Sequence, residues 1–271
     1  MGKAILFAGT ALCLATSLGL ADASKSAAHH RSWDTPTLTN WDGIWVGKRD
    51  LPGGRNVPGL GKRAGSALPV EPTPLYAPYL KLDTEALDKG LEVGQVPRCL
   101  PPGVPTVDEL IYPAEIITLP KEVHIIYELG GDRRIRINGK HPDYLEPTYR
   151  GDSIGRWEGD TLVIDTVALT TKSIISGGAR HSIQLRVTER LREIAPNVID
   201  VHITMRDPLA FAKPVDYHVT WERAGPNEDI QEQTCDVNHE ADDFKNLFDA
   251  FDVMPEPPQP DTHWAYATED N

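Results

Sequence analysis

The chain has little cysteine and none of the common short metal-binding motifs. Only three cysteines occur in 271 residues. The patterns Cys-x-x-Cys, His-x-His and His-Glu-x-x-His are all absent. The sequence therefore predicts no resident metal and no cofactor, because structural and catalytic zinc sites usually carry such spacings. A metal site assembled from distant His, Asp and Glu side chains stays open at this point.

Positive charge is also in short supply. The chain has 27 Lys and Arg against 40 Asp and Glu, which gives a formal net charge of −13. A strongly acidic protein repels polyanions, so nucleic acid and anionic membrane are poor candidate partners. The sequence contains no internal repeat and no long low-complexity tract. A small organic molecule remains as the expected partner, and the oligomeric state stays open.

The N-terminal segment, residues 1–23, is predicted to be a secretory signal peptide. Lys3 precedes an apolar run, and Ala21-Asp22-Ala23 fits a small-x-small cleavage site. A membrane anchor is the alternative, but the run is marginal in length and no basic cluster follows it. We expect a periplasmic or secreted protein that starts near Ser24 and is not inserted in a membrane after cleavage.

Two cysteines, Cys99 and Cys235, remain after removal of the leader, since Cys13 lies within it. An isolated pair in an oxidising compartment favours one disulfide. A reactive thiol pair is the alternative, without support from the spacing.

The rest of the chain divides by composition. Residues 24–40 are predicted to be a flexible lead-in, and residues 41–252 a single β-barrel domain. A Gly- and Pro-rich insertion at residues 48–112 carries a helix at 75–87, with a break possible at Pro78. Residues 242–251 have apolar side chains at helical spacing. Residues 253–271 form a Pro-rich acidic tail.

Period-two alternation predicts a series of strands that starts at residues 40–47 and is joined mostly by short turns. The further predicted strands are residues 115–119, 122–129, 133–137, 153–158, 161–167, 182–194, 198–206, 215–223 and 229–234. Consecutive strands with short connections favour an antiparallel meander. The predicted fold is therefore all-β: an antiparallel lipocalin-like barrel, or a two-sheet sandwich, with peripheral helices.

The most specific motif lies at residues 153–166, with the sequence Ser-Ile-Gly-Arg-Trp-Glu-Gly-Asp-Thr-Leu-Val-Ile-Asp-Thr. Glu158-Gly159-Asp160 predicts a tight turn between two strands, because glycine tolerates the positive φ of such turns. The hairpin carries several ionisable side chains within a short stretch.

Two resemblances rest on these residues. Residues 98–103, the 153–166 motif, residues 187–190, and the pairs Asp207-Pro208 and Lys213-Pro214 together resemble an uncharacterised family of secreted bacterial proteins. This resemblance implies kinship and compartment, but no activity and no residue roles. Gly43-Ile44-Trp45 on the first strand, followed by antiparallel strands and a late helix, resembles the calycin plan that includes lipocalins. That resemblance implies a cavity for one small, mostly apolar molecule.

Glu189 is the principal candidate for chemistry. It shares a strand face with the apolar residues Leu185, Val187 and Leu191. A carboxylate in an apolar row must be paired, protonated or functional. A structural ion pair with Arg134 or Arg156 is one hypothesis, a general acid or base with a raised pKa is another, and a bulge that turns Glu189 outward is a third.

Further candidates come from loops and strand ends. His141 and His181 lie in the loops 138–152 and 168–181, which are longer than the hairpin turns and which we expect to cap a barrel mouth. Histidine also exchanges protons near neutral pH. Alternation leaves the side of Asp165 ambiguous, and it places His124, His202 and His218 outside. The predicted catalytic set is Glu189, Asp165, His141, His181 and Arg134. The predicted ligand-binding set is Arg156, Trp157, Tyr127, Tyr217 and Trp221.

Two function classes follow from this pattern. One is a cofactor-independent isomerase, lyase or hydrolase that performs acid-base chemistry on a small organic molecule inside the barrel. The other is a non-catalytic carrier with the same cavity. An inward carboxylate within reach of a histidine would favour the enzyme, and a purely apolar lining would favour the carrier.

Overall fold

The folded part of the chain is dominated by nine strands. The computed structural model describes residues 41–48, 70–88, 100–109, 112–175, 179–232 and 256–259. The strands are β1 Gly43–Lys48, β2 Pro113–Thr118, β3 Glu122–Tyr127, β4 Gly131–Ile137, β5 Asp152–Glu158, β6 Thr161–Val167, β7 Arg186–Ala195, β8 Val198–Arg206 and β9 Val215–Arg223.

The strands pair in chain order and close into a barrel, because β9 also pairs with β1. Every pairing is antiparallel except that of β4 with β5, which is parallel. A closed ring with an odd number of strands cannot alternate direction throughout, so one parallel pair is required. Residues 138–151 return the chain to the end of the barrel where β5 begins. The predicted all-β barrel is confirmed, the sandwich alternative is wrong, and the expectation of purely antiparallel pairing fails at this one junction.

Alternating apolar side chains fill the lumen. On β8, Ile199, Val201, Ile203 and Met205 are fully buried, and the intervening residues lie on the outer face. Trp41 and Trp45 pack in the same core. The predicted turn between β5 and β6 is confirmed, because Glu158 pairs with Thr161 and Gly159 has a φ of 64°.

The insertion between β1 and β2 closes one end of the barrel and covers part of its outside. A 3₁₀ turn, Thr106–Glu109, buries Val107, Asp108 and Glu109 and forms a plug. A helix, α1 Ala77–Asp88, lies against loop residues 179–180 and 210–211, where Arg180 Nε lies 2.8 Å from Asp83 Oδ2. The helix is continuous through Pro78, because proline is tolerated in a first helical turn. The helix begins at Ala77 rather than at the predicted residue 75. The segment before it is held to the loop after β8, because the Thr73 hydroxyl donates to the carbonyl of Leu209 at 2.6 Å.

Most of the predicted strand bounds lie within three residues of the observed ones, and two predicted strands differ more. The seventh strand begins at Arg186 rather than at residue 182, because residues 182–185 form a turn on Asp207. The Ser182 amide donates to Asp207 Oδ2 at 2.6 Å, and the Leu185 amide donates to the Ser182 carbonyl at 3.2 Å. Residues 229–232 are not a strand.

Several predictions lie outside the described residues. These are the signal peptide at 1–23, the lead-in at 24–40, the helix at 242–251, and the Cys99–Cys235 disulfide. The disulfide stays a prediction, which mass spectrometry of the non-reduced protein would decide. Among the described residues, no helix has the length and apolar character needed to cross a membrane.

Candidate functional site

A charged pair lies inside the barrel lumen. Arg133 on β4 and Glu189 on β7 are each 1% exposed, and Arg133 Nη1 donates to Glu189 Oε1 at 2.9 Å. A second guanidinium nitrogen also donates to the Glu189 carboxylate. The other bonds of Arg133 go to Ser153 Oγ at 3.2 Å and to Thr166 Oγ1 at 2.8 Å. Every guanidinium nitrogen therefore has an acceptor, as a buried charge requires.

The plug adds two carboxyl groups to this cluster. The Tyr127 hydroxyl donates to Asp108 Oδ1, and Asp108 Oδ2 lies 3.6 Å from Arg133 Nη1. The Trp221 indole donates to the Asp108 carbonyl at 2.9 Å. The Tyr217 hydroxyl donates to Glu109 Oε1 at 2.7 Å. Side chains from β3, β4 and β9 thus hold the plug in the lumen.

The protonation of Asp108 follows from its burial. Loss of solvent, followed by repulsion from Glu189, raises the pKa of Asp108 to about 8, although Arg133 opposes the shift. Burial also disfavours the charge on Arg133, but attraction by Glu189 outweighs it and keeps the pKa of Arg133 above its usual value. At pH 7 the Asp108 carboxyl is therefore mostly neutral and lies beside the cationic Arg133.

An aromatic pocket lies beside the cluster at the plugged end. The lining residues are Trp45, Gly47, Val107, Tyr112, Ala114, Tyr127 and Trp221. The space between them is tight and admits no water-sized sphere. The rings of Tyr127 and Trp221 meet edge to face, with centroids 6.5 Å apart. Because both residues also bond to Asp108, the pocket wall and the buried cluster are directly connected.

His141 and Asp165 form a separate cluster on the outer face of the barrel. His141 Nε2 lies 3.0 Å from Asp165 Oδ2, and His141 Nδ1 lies 3.3 Å from Asp152 Oδ2. Arg186 Nε donates to Asp165 Oδ1 at 2.7 Å, and Arg136 Nη2 donates to Asp152 Oδ2 at 2.7 Å. Burial opposes the charge on His141, but the two carboxylates raise its pKa overall. This cluster fastens the 138–151 connection to β5 and β6.

The predicted location of His181 at the barrel mouth is wrong. His181 is fully buried below the loop that precedes β7, where its Nε2 lies 2.9 Å from Ser173 Oγ and its Nδ1 lies 2.9 Å from the Ser182 carbonyl oxygen. Burial lowers the pKa of His181. The two predicted loop histidines therefore belong to different clusters that share no residue.

Arg134 and Arg156 also lie away from the lumen. Arg134 is exposed and pairs with Glu122, and Arg156 Nη2 lies 2.8 Å from Glu158 Oε1. The partner of Glu189 is Arg133, because Arg133 shares an inward face with Ile135, whereas Arg134 alternates outward. The predicted convergence of five catalytic side chains does not occur.

The predicted ligand-binding aromatics have mixed positions. Tyr127 and Trp221 line the pocket, and Tyr217 lies in the lumen on Glu109. Trp157 packs against Trp41 with ring centroids 5.2 Å apart, at the end of the barrel opposite the plug. Only the first two of these residues meet a described cavity.

The sequence suggested Arg133 as a partner of Asp165 or of an anionic ligand, but did not pair it with Glu189, and it did not single out Asp108. The run Arg133, Ile135, Ile137 places Arg133 on an apolar face, a signal of the same kind that selected Glu189. Asp108 has no such signal, because it lies in a Pro- and Gly-rich insertion without periodicity.

Residues 151–155 also fit the pattern Gly-x-Ser-x-Gly of hydrolase nucleophiles. Ser153, however, lies buried on a strand and bonds to Thr166 Oγ1 at 2.9 Å, without the strand-turn-helix context of that motif.

Comparisons with known proteins give little further information. No protein family model matches the chain, and no curated protein matches it. Among solved structures, the chain is similar to a mutant of the fluorescent protein UnaG, at 13% identity and a TM-score of 0.30. The match covers 68% of this chain and 96% of the other. A likeness of that size carries no information on function.

Proposed function

We propose that this protein binds a small, planar, largely apolar organic molecule in the aromatic pocket at the plugged end of the barrel. The observation that carries the proposal is the wall formed by Trp45, Tyr127 and Trp221 around one small space. Aromatic side chains supply a large apolar contact area and favour stacking with planar ligands. Sites of this kind are concave and mostly apolar, with a few fixed polar groups.

The contacts around the pocket limit the chemistry of the ligand. The indole of Trp45 donates to the Trp41 carbonyl at 2.8 Å, that of Trp221 donates to Asp108, and the Tyr127 hydroxyl is also engaged by Asp108. The wall therefore offers ring faces and edges rather than free donors. Because the neighbouring Arg133 and Glu189 neutralise each other, the pocket favours an uncharged ligand. The space admits no water-sized sphere, so a ligand built on a single ring enters only when side chains of the wall move apart.

Tyr112 provides the route of entry. It is 41% exposed, whereas the other large aromatic side chains of the pocket are buried. It lies immediately before β2, at the edge of the plugged end. Rotation of this one side chain would widen the opening without moving a strand.

Fluorine NMR with 4-fluorophenol as the ligand probe tests the proposal. Ala114→Leu fills the pocket from β2 and removes no polar contact, because Ala114 faces Trp45 and Tyr127 in register. Ala210→Leu is the matched control, since Ala210 lines a different pocket beneath α1. We expect saturable binding to the parent protein and to Ala210→Leu, and an affinity at least about tenfold weaker for Ala114→Leu, which corresponds to about 1.4 kcal/mol.

Equal affinity of the two alanine variants would overturn the proposal, as would a parent protein that shows no saturable binding. Circular dichroism and thermal melting of both variants establish that each is folded before the comparison is made.

A second candidate function is a hydrolase, and Asp108 is the observation that favours it. A carboxyl group with a pKa of about 8 is protonated at neutral pH and can act as a general acid. The same fluorine NMR assay with 4-fluorophenyl acetate reports hydrolysis directly. Under this hypothesis Asp108→Asn lowers the rate by roughly 10²–10⁴. A parent rate equal to that of buffer, or to that of Asp108→Asn, excludes Asp108 catalysis and leaves the binding function.

Export is part of the proposal, because residues 1–23 have the features of a signal peptide. The measurement is the intact mass of protein recovered from the periplasm or medium. A chain that starts near Ser24 is expected, and a full-length chain confined to the cytoplasm would contradict export.

A further inference from the structure

A pair of histidines on the outer wall has no part in the lumen chemistry. His202 on β8 and His218 on β9 occupy directly opposite positions in the antiparallel register. Their rings are stacked with centroids 4.4 Å apart and planes inclined by 7°. Their side chains are 34% and 45% exposed, so solvent ions can reach both rings. Two imidazoles on neighbouring strands are close enough to supply two nitrogen ligands to one metal ion once the rings turn out of the stack.

Each ring has a carboxylate beside it. His218 Nδ1 lies 2.9 Å from Asp200 Oδ1, and His202 Nε2 lies 3.5 Å from Asp216 Oδ1. Asp216 is held in turn by the Thr204 hydroxyl, which donates to its Oδ1 at 2.5 Å. Carboxylates that bond to the second nitrogen of a metal-ligating histidine fix the ring and raise its basicity.

The remaining ring nitrogens are available for a ligand. Within the described residues, His218 Nε2 and His202 Nδ1 have no hydrogen-bond partner. No three His, Cys, Asp or Glu side chains of the described residues converge on a common point, so the site supplies two protein ligands and solvent completes the shell. A small opening of the stack would be needed, because lone pairs of parallel rings do not meet at one ion.

We infer that the His202–His218 pair is a surface binding site for a divalent transition-metal ion, with Cu²⁺ bound most tightly. Imidazole nitrogen suits copper, nickel and zinc, and affinity for a given nitrogen site rises to Cu²⁺ along the first row. The two adjacent aspartates favour a cation at this face, and they compete with Arg190 and Arg192, which lie opposite His202 and Asp200 in the register. This site lies on the outer face of β8 and β9, and it does not depend on the ligand proposed for the lumen.

Titration with copper(II) chloride alone tests the inference, by calorimetry for affinity and by electron paramagnetic resonance for the bound ion. The chain carries other histidines that can bind copper. The informative quantity is therefore the difference in copper binding between the parent protein and His202→Asn/His218→Asn. We expect one copper ion with hyperfine coupling to two imidazole nitrogens, and we expect this ion to be lost in the double variant. Either single substitution should weaken binding at least about tenfold, because a two-ligand site becomes a one-ligand site.

Asp200→Asn distinguishes a built site from an accidental one. It leaves both imidazoles in place but removes the acceptor of His218, and loss of such an outer-shell partner typically weakens metal binding about 10- to 100-fold. His124→Asn is the matched control, because His124 is a single surface imidazole that also contacts two carboxylates, those of Glu122 and Asp132. The His124→Asn variant should bind copper with the same affinity as the parent.

Two results would overturn the inference. One is copper binding with the same affinity and spectrum in the parent and the double variant. The other is loss of the bound ion in His124→Asn but not in the double variant. Circular dichroism of each variant excludes unfolding as the cause of a loss.

Discussion

Arg133 and Glu189 face each other across the barrel lumen, with Arg133 Nη1 2.9 Å from Glu189 Oε1. They lie on β4 and β7, which are not neighbours in the sheet. The pair therefore ties together two parts of the wall that share no backbone hydrogen bonds. The Asp108 carboxyl of the plug lies beside this pair, with its Oδ2 3.6 Å from Arg133 Nη1.

Glu189→Ala should destabilise the protein by about 3–5 kcal/mol, because it leaves the buried Arg133 charge without its main partner. Urea unfolding of parent and variant measures the difference. The double variant Arg133→Met/Glu189→Met should cost less than Glu189→Ala alone, since it removes both charges and keeps apolar volume. A free energy of unfolding for Glu189→Ala within about 1 kcal/mol of the parent would mean that the pair does not stabilise the barrel.

The Asp108 carboxyl should make stability fall as the pH rises. Its folded-state pKa, about 8, lies above the ordinary value of 3.8 that holds in the unfolded chain. Between these two pH values the folded protein therefore binds one proton more than the unfolded chain. The stabilisation is complete below pH 4 and is lost progressively towards pH 8, with a limiting slope of about 1.4 kcal/mol per pH unit. The parent should therefore lose stability relative to Asp108→Asn from pH 5 to pH 8. If the difference in free energy of unfolding between the two proteins stays constant from pH 5 to pH 8, the raised pKa of Asp108 is contradicted.

His141 should titrate at a higher pH than an ordinary histidine. The carboxylates of Asp152 and Asp165 raise its pKa, so its stabilising effect is present below pH 6.5 and is lost as the pH rises through the folded value. NMR of the imidazole proton gives the midpoint directly. Asp165→Asn should lower that midpoint, because it removes one of the two charges. An unchanged midpoint in Asp165→Asn would show that the contact between His141 and Asp165 is absent in solution.

Two glycines with the same backbone conformation should respond differently to alanine. Gly151 and Gly159 have φ values of 65° and 64°. A Cβ on Gly151 would lie 2.4 Å from the Val167 carbonyl oxygen, whereas one on Gly159 has no neighbour within 4 Å. Gly159→Ala should cost only the left-handed strain of about 1–2 kcal/mol. Gly151→Ala should cost clearly more in the same urea assay, and equal costs would contradict the close approach at β6.

The barrel was predictable because alternation reports directly on a two-sided sheet. The rows Ile199, Val201, Ile203 and Met205 on β8 and Tyr217, Val219 and Trp221 on β9 are buried, as their period requires. Glu189 lies in the lumen for the same reason. The parallel β4–β5 pair was not predicted, because local sequence carries strand position but not the direction in which a loop returns.

The site was less predictable because its parts are joined only in three dimensions. Asp108 reaches the lumen through a plug that has no periodic pattern, and its partners Tyr127 and Arg133 lie on other strands. The loop histidines were chosen by loop length, but His141 contacts the outer wall and His181 is buried under its own turn. Loop length identifies candidate positions and gives no information on the direction of a side chain.

The most direct test of the proposed function is the response of the Trp221 indole proton to 4-fluorophenol in nitrogen-edited NMR. That proton is bonded to the Asp108 carbonyl, and its ring forms a wall of the pocket. If the pocket binds the ring, the Trp221 signal shifts saturably in the parent and in Ala210→Leu, with the affinity found by fluorine NMR, and stays in place in Ala114→Leu. A Trp221 signal that does not move in the parent, or that moves equally in Ala114→Leu, would contradict binding at this site.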